Sequence, residues 1–226
     1  MGMKLFNHYA KYYNLIYQTK DYKKEADFVY NWANKPKTIL ELGCGTGKHI
    51  YYLAPKVEQI IGTDASLEML ILAYMYTKKF HNVRYLFNKT DKRLLDLPKV
   101  DCVIALFNVM GYCLLEECLP YLPLTKDGYC IFDIWDASKF KKHPPVVKVK
   151  HFNFGYRVAI PEQYSDRLIK IDYIIVEGKE VKVFERHFVQ GYFRKDIEQL
   201  CKLHKYKIAD IKTTKDWQIW YKLQKL

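Results

Sequence analysis

Thr38-Ile-Leu-Glu-Leu-Gly-Cys-Gly-Thr-Gly-Lys-His49 reads as a buried strand, a glycine turn and the start of a helix. Ile39, Leu40 and Leu42 with one acid, Glu41, make the strand, and Gly43, Gly45 and Gly47 stand at every second position after it. Glycine there lets the backbone take positive φ and lets a ligand approach the main chain where a Cβ would block it. The stretch predicts a ligand-binding elbow. A dinucleotide fingerprint needs its third glycine one position later, where Lys48 stands. A phosphate loop needs glycine at Leu42 and a hydroxyl residue at His49. Neither pattern is met. The next apolar run, Gln59-Ile-Ile-Gly-Thr-Asp64, closes on an acid 21 residues past Gly43. At that spacing an acid lies at the tip of the neighbouring strand, where its carboxylate can accept the hydroxyls of a ribose.

A chain of 226 residues, half of them apolar, suits one α/β domain with a large core. Membrane insertion is not expected. The longest apolar candidate, Cys102 to Leu115, is interrupted by Asn108 and Gly111 and falls short of the roughly 18 residues a span needs. The start lacks a hydrophobic signal region, and Met1-Gly2 is not followed by the hydroxyl residue at position 6 that myristoylation prefers, so a cytoplasmic protein is expected. Six cysteines include no Cys-x-x-Cys pair; they read as buried free thiols, and no metal site is expected. The net charge of +12 invites a nucleic-acid reading, but the lysines are scattered and no arginine-rich arm exists. A solvated basic surface that favours anionic partners accounts for them better.

Taken in order, residues 4–19 are crowded with aromatics, and Tyr9, Tyr13 and Tyr17 fall on one helical face. That helix either packs on the sheet or closes over the site as a lid, so residues 1–35 are expected to form a helical cover. Asp21 is an expected N-cap for a helix over 22–34, with Ala26, Val29, Tyr30 and Ala33 inward. Strands are expected at 38–42, 57–62, 83–87, 101–107 and 127–135. Helices are expected after Gly47, after the cap Ser66 and up to Leu119. Met69, on the first turn after Asp64, either packs on an adenine ring or fills the core. Beyond the third strand, Thr90, Asp91 and the amide of Lys92 are candidates to read an adenine edge. Alternating strands and helices predict a doubly wound, mostly parallel α/β sheet of seven strands, with the ligand at the strands' carboxyl ends. From residue 144 to 190 the pattern becomes strand-rich, with Glu177-Gly178-Lys179-Glu180 as a hairpin turn. This predicts an antiparallel β insertion between the fifth and sixth strands. A helix from Arg194 and strands at 206–213 and 217–223 complete the sheet.

The run Glu41-Leu-Gly-Cys-Gly-Thr-Gly47 with Asp64 resembles the cofactor motifs of the class I S-adenosylmethionine-dependent methyltransferases. The whole chain is most similar to their nucleotide-linked amino-sugar N-methyltransferases. That closer likeness rests on Tyr13-Asn-Leu-Ile-Tyr17 with Asp21-Tyr22, Leu106-Phe-Asn-Val-Met-Gly-Tyr112, Phe132-Asp-Ile-Trp135 and Glu185-Arg-His-Phe-Val-Gln-Gly-Tyr-Phe-Arg194. The resemblance implies S-adenosyl-L-methionine as cofactor. It implies that Tyr13, Tyr22, Glu41, Gly43, Cys44, Gly45, Gly47, Asp64, Ala65, Met69, Asp91, Lys92 and Leu106 bind it. Asn108, Trp135, Arg186 and His187 would face a small-molecule acceptor, a dTDP-linked amino sugar. The β insertion would build the acceptor pocket or a homodimer contact. In that family a tyrosine and a histidine orient the acceptor amine; Tyr17 matches the first, and Tyr112 stands where the family has histidine. His187 either faces the acceptor or is a satisfied structural residue.

A sulfonium methyl is already electrophilic, so the protein's task is to align an amine lone pair and exclude water. Asp133, His187 or bulk water can take the amine's proton. A nucleic-acid base methyltransferase would carry an Asn-Pro-Pro-Tyr-type segment where this chain has Phe107-Asn-Val-Met-Gly-Tyr112, without the prolines. A small-molecule methyltransferase with another acceptor stays open. A non-catalytic binding scaffold would have lost the glycines or Asp64, and both are present.

Overall fold

The computed structural model describes residues 8–87, 91–141, 146–214 and 217–226. Two short helices, α1 (Ala10–Ile16) and α2 (Tyr22–Trp32), precede the sheet. Then come β1 (Thr38–Leu42), α3 (Lys48–Leu53), β2 (Gln59–Asp64), α4 (Leu67–Thr77), β3 (Val83–Phe87), β4 (Val100–Ala105), α5 (Leu115–Cys118) and β5 (Leu124–Trp135). Strands β6 (Lys148–Phe152), β7 (Gly155–Gln163), β8 (Leu168–Glu177) and β9 (Glu180–Gln190) form a separate antiparallel sheet in hairpin order. The chain ends with α6 (Arg194–Leu203), β10 (Tyr206–Thr213) and β11 (Gln218–Lys225).

The main sheet has seven strands in the order β10-β11-β5-β4-β1-β2-β3. β1 to β5 run parallel, and β11 pairs antiparallel with both β5 and β10. Side chains alternate across each strand, so one face buries Leu40, Ile61, Val103, Phe132 and Tyr221 and the other Ile39, Ile60, Cys102, Ile131 and Trp220. Both faces are dry, as a parallel sheet requires. Asp101 accepts hydrogen bonds from the amides of Lys37 and Thr38 at 3.0 Å each, fixing how the chain enters β1. Among the described residues no helix is long and apolar enough to cross a membrane.

Several expected boundaries move. The helix over 22–34 stops at Trp32 because Asn34 and Lys35 take φ of 62° and 55°, a left turn that ends it before Pro36 acts. The strand expected from Val57 begins at Gln59, because residues 54–56, with Pro55, form a 3-10 turn. The fourth strand ends at Ala105 and not Phe107, since Phe107 and Asn108 lie at φ 68° and 59°. The helix up to Leu119 shrinks to the four residues of α5, after Leu114 at φ 42°. The fifth strand starts earlier, at Leu124, through pairing of Leu124 with Val100. The first helix packs mainly on the β6–β9 sheet, where Tyr9, Tyr12 and Ile16 bury against Phe152, Ile175 and Val183. Its tyrosine stripe still forms, with ring centroids 6.3 Å apart for Tyr9 and Tyr13 and 4.7 Å for Tyr13 and Tyr17.

Candidate active site

The glycine elbow adopts the conformation its sequence requires: Gly43, Gly45 and Gly47 have φ of 61°, 53° and 72°. Beside it, at the tip of β2, Asp64 accepts from the amide of Gly45 at 2.8 Å and of Ser66 at 2.9 Å. Burial raises the Asp64 carboxyl above its ordinary value, and these amides work against that shift. Elbow and acid are thus one hydrogen-bonded unit. Thr46 Oγ1 donates to Asn14 Oδ1 at 2.7 Å, tying α1 to the same turn.

A cavity of about 690 Å³ opens from this unit, within the roughly 300–1,000 Å³ of small-molecule sites. Gly43, Gly45, Asp64, Ala65, Met69 and Leu106 line it on the elbow side. Arg157, Ala159 and Pro161 of β7 and Ile169, Ile171 and Tyr173 of β8 line it from the antiparallel sheet. Tyr13 and Tyr17 from the N-terminal segment and Asn108, Tyr112 and Trp135 from the tips of β4 and β5 close its sides.

Asp133 braces the strained turn after β4. Its carboxylate, buried, accepts from the amides of Phe107 at 2.6 Å and Asn108 at 2.8 Å, and from Gln218 Nε2 at 2.7 Å. Burial pushes its carboxyl up to about 6, against the pull of those donors. Three donors on one buried carboxylate make Asp133 a brace for the left-handed pair, not an unengaged base. Asn108 Oδ1 accepts from Trp135 N at 3.2 Å, while its buried Nδ2 has no partner among the described residues.

The tyrosines form a connected wall. Tyr17 meets Phe107 edge-on at 5.0 Å. Tyr112 and Tyr173 share a hydroxyl hydrogen bond, and His187 Nδ1 lies 3.3 Å from the Tyr112 hydroxyl. Burial pushes the phenols of Tyr13 and Tyr112 well up, so both stay protonated. Glu185 Oε2 stands 3.1 Å from His187 Nε2. A carboxylate can only accept, so in neutral His187 the proton sits on Nε2 and Nδ1 accepts from Tyr112. The Tyr112 oxygen then presents lone pairs to its other neighbours.

Behind the elbow, His49 is held between Glu25 Oε2 at 2.7 Å and Glu41 Oε1 at 3.1 Å. Burial alone would lower its pKa; the two carboxylates outweigh that and carry it to about 9. Burial also opposes charge on Glu25, but His49 and Lys20 hold its carboxyl low, whereas burial wins at Glu41 and raises it. Glu41 Oε2 and the hydroxyl of Tyr22, both buried, lack a partner among the described residues.

Not every expected site residue reaches the cavity. The Cys44 side chain turns into the core, and Gly47 serves close packing, since a Cβ there would lie 3.0 Å from Ala73 Cβ and Tyr85 Oη. Glu41 and Tyr22 stand behind the elbow rather than along the cavity. Asp91 is forked onto the Arg93 guanidinium at 2.8 and 3.0 Å, which holds its carboxyl near 2, and Lys92 is exposed. Thr90 lies outside the described residues. Arg186 points away on the outer face of β9, paired with Asp172 at 2.7 and 2.9 Å. His187 is fully buried behind Tyr112 and does not line the cavity. Arg157 and Tyr173 enter the site without having been expected; the alternation of β7 and β8 carried the signal, but only the pairing tells which face is inside.

Residues 39–121 match a family described as a methyltransferase domain. Over 70 residues the chain is 34% identical to dTDP-3-amino-3,6-dideoxy-alpha-D-glucopyranose N,N-dimethyltransferase of Streptomyces fradiae, covering 28% of each protein. Alignments with the curated relatives span only 28–59% of those proteins' own length. Among solved structures, an S-adenosylmethionine-dependent methyltransferase of Clostridium acetobutylicum superposes with a TM-score of 0.78 at 24% identity, covering 97% of this chain and 99% of its own. CalS10 of Micromonospora echinaspora, an amino pentose methyltransferase solved with S-adenosylmethionine bound, gives 0.75 at 16% identity over the whole of both chains. Residues 39–121 thus match the sequence pattern of a methyltransferase domain, and the whole chain carries the fold of the class I S-adenosylmethionine-dependent methyltransferases.

Proposed function

We propose that the chain transfers a methyl group from S-adenosylmethionine to the amino nitrogen of a nucleotide-linked amino sugar. One observation carries the reading: a single cavity joins the Gly43–Asp64 elbow to a chamber walled by tyrosines and by the antiparallel sheet. The likeness to sugar N-methyltransferases on sequence and on fold supports the acceptor class.

The residues present fit the cofactor. Asp64 offers a carboxylate for ribose hydroxyls, and Gly45 has nothing within 4 Å of where its Cβ would be, which leaves room for a ligand against the main chain. Met69 and Leu106 give apolar surface for an adenine. Behind the elbow, the buried Glu41 Oε2 and Tyr22 hydroxyl have no partner among the described residues, an acceptor and a donor that would suit an ammonium and a carboxylate reaching past the turn. When bound, S-adenosylmethionine supplies an electrophilic methyl group. Tyr17 and Tyr112 hold the acceptor nitrogen: the Tyr112 oxygen, its own proton engaged by its buried neighbours Tyr173 and His187, accepts an N–H and aims the lone pair. Tyrosine faces tolerate the charge that develops on nitrogen. α1, seated against the antiparallel sheet and tied to Thr46, keeps water out of the chamber.

The test is a mass-spectrometric transfer assay with S-adenosylmethionine, offering dTDP- and UDP-linked amino sugars beside bulk RNA. One or two methyl masses on a nucleotide sugar is the expected result. Methyl recovered in RNA alone would overturn the reading and make the basic surface the binding face. Tyr17→Phe and Tyr112→Phe are each expected to lower kcat about 10- to 100-fold, the loss of one oriented hydrogen bond of about 1.5–3 kcal/mol, with the affinity for S-adenosylhomocysteine unchanged by titration calorimetry.

A further inference from the structure

We propose that the acceptor carries an oxyanion, phosphoryl or carboxylate, and that Arg157 binds it inside the cavity. The inference rests on the cavity being the acceptor site. Arg157 alternates with Ala159 and Pro161 on the inward face of β7 and lines the chamber. It is only 7% exposed, yet it has no ion pair or hydrogen bond among the described residues, and its Nε is buried without a partner. A guanidinium stays charged at any working pH, and a buried charge without a counter-ion is costly. The Tyr173 ring, 5.4 Å from the guanidinium carbon, compensates for little of that loss.

The surroundings point the same way. Strand β6 places Lys150 opposite Arg157 and Lys148 opposite Ala159 in the ladder. Lys148 lines the cavity, Lys150 Nζ sits 5.4 Å from the Tyr17 ring centroid, and neither lysine has an ion pair among the described residues. Acids of the site are engaged by other partners. Glu185 accepts from Tyr9 N and faces His187, while Asp64 and Asp133 are held by backbone amides on the far side. One wall of the chamber is therefore cationic and, among the described residues, without a counter-ion. Its planar fork is shaped for two oxygens of one phosphoryl or carboxylate group.

The experiment is titration calorimetry of the protein saturated with S-adenosylhomocysteine. The probes are thymidine diphosphate, thymidine, D-glucuronate and D-glucose, against wild type, Arg157→Met and Arg157→Lys. Wild type is expected to bind one anionic probe over its neutral counterpart, with affinity falling roughly thirtyfold in Arg157→Met and less in Arg157→Lys. Dependence confined to thymidine diphosphate identifies a phosphoryl acceptor; dependence confined to glucuronate identifies a carboxylate acceptor and separates this inference from the nucleotide-sugar reading. Because the charge has no partner to lose, the melting temperature of Arg157→Met should equal or exceed that of wild type. Equal affinities in wild type and both variants, or a melting temperature that falls sharply in both, would overturn the proposal. If a nucleotide sugar is methylated with the same KM by Arg157→Met, the functional reading stands and this inference fails.

Discussion

Gly43→Ala is expected to abolish detectable methyl transfer and to destabilise the fold by about 2–4 kcal/mol, the sum of a forced left-handed residue and overpacking. Gly43 sits at φ 61°, and an added Cβ would lie 2.5 and 2.7 Å from the two methyl groups of Val109. Turning the Val109 side chain does not relieve the clash, because its Cβ would itself lie 3.2 Å away. Val109 opens the 3-10 turn of residues 109–111 directly after Phe107 and Asn108, whose positive φ is held by Asp133. Pushing Val109 therefore disturbs the brace under the chamber as well as the elbow. Gly45→Ala is the control. It carries similar strain at φ 53°, but its Cβ meets nothing within 4 Å, so the fold should lose only about 1 kcal/mol. Affinity for S-adenosylhomocysteine should still collapse, because the methyl group fills the space assigned to the ligand. Urea unfolding with calorimetric titration separates the two; equal stability losses in both variants would mean that Gly43 is not a packing glycine.

The difference between these glycines was not legible in the sequence. Spacing announced the elbow and Asp64, because a turn of alternate glycines after an apolar run has few other uses. Which glycine faces open space and which meets Val109 depends on a turn more than 60 residues away. The seven-strand sheet and the antiparallel insertion were readable from apolar alternation and the Glu177–Glu180 turn. The segment after β4 was not, since nothing in Phe107-Asn108 signals two consecutive left-handed residues; a buried carboxylate 25 residues later supplies their support. Arg186 and His187 could not both face an acceptor, because neighbours on a strand point to opposite sides. Pairing sends Arg186 outward to Asp172 and His187 inward behind Tyr112. Asp91 is turned from the cavity for a local reason: Arg93, two residues on, captures it. Arg157 carries no local signal, because a single arginine in an apolar strand looks like an edge residue until β8 covers one side and β6 the other.

His49 sets the second large effect, and its sign follows from which state binds the proton. In the folded chain its pKa is carried to about 9, whereas an unfolded histidine titrates near 6.5. Between those values the folded state holds a proton that the unfolded state has released. The stabilisation is therefore complete below pH 6.5 and is lost as pH rises through 9. A rise of that size corresponds to about 3 kcal/mol. Both carboxylates that face the ring favour this direction: Glu25 from α2 and Glu41 from β1 bracket it, while Lys20 is paired with Glu25. Tyr22 packs edge-on at 5.1 Å and excludes water. His49→Gln keeps much of the shape but removes the charge, leaving two buried carboxylates face to face. A loss of about 3–5 kcal/mol is expected at pH 7, the cost of breaking a buried pair. Since burial already raises Glu41, the variant should regain stability on acidification as that carboxyl takes up a proton, a trend driven by Glu41 in place of His49. Urea unfolding of both proteins from pH 5.5 to 9.5 decides the matter. A wild-type stability that stays flat from 6.5 to 9 would mean that His49 is neutral in the fold, and that α2 is held to the elbow by hydrogen bonds without charge.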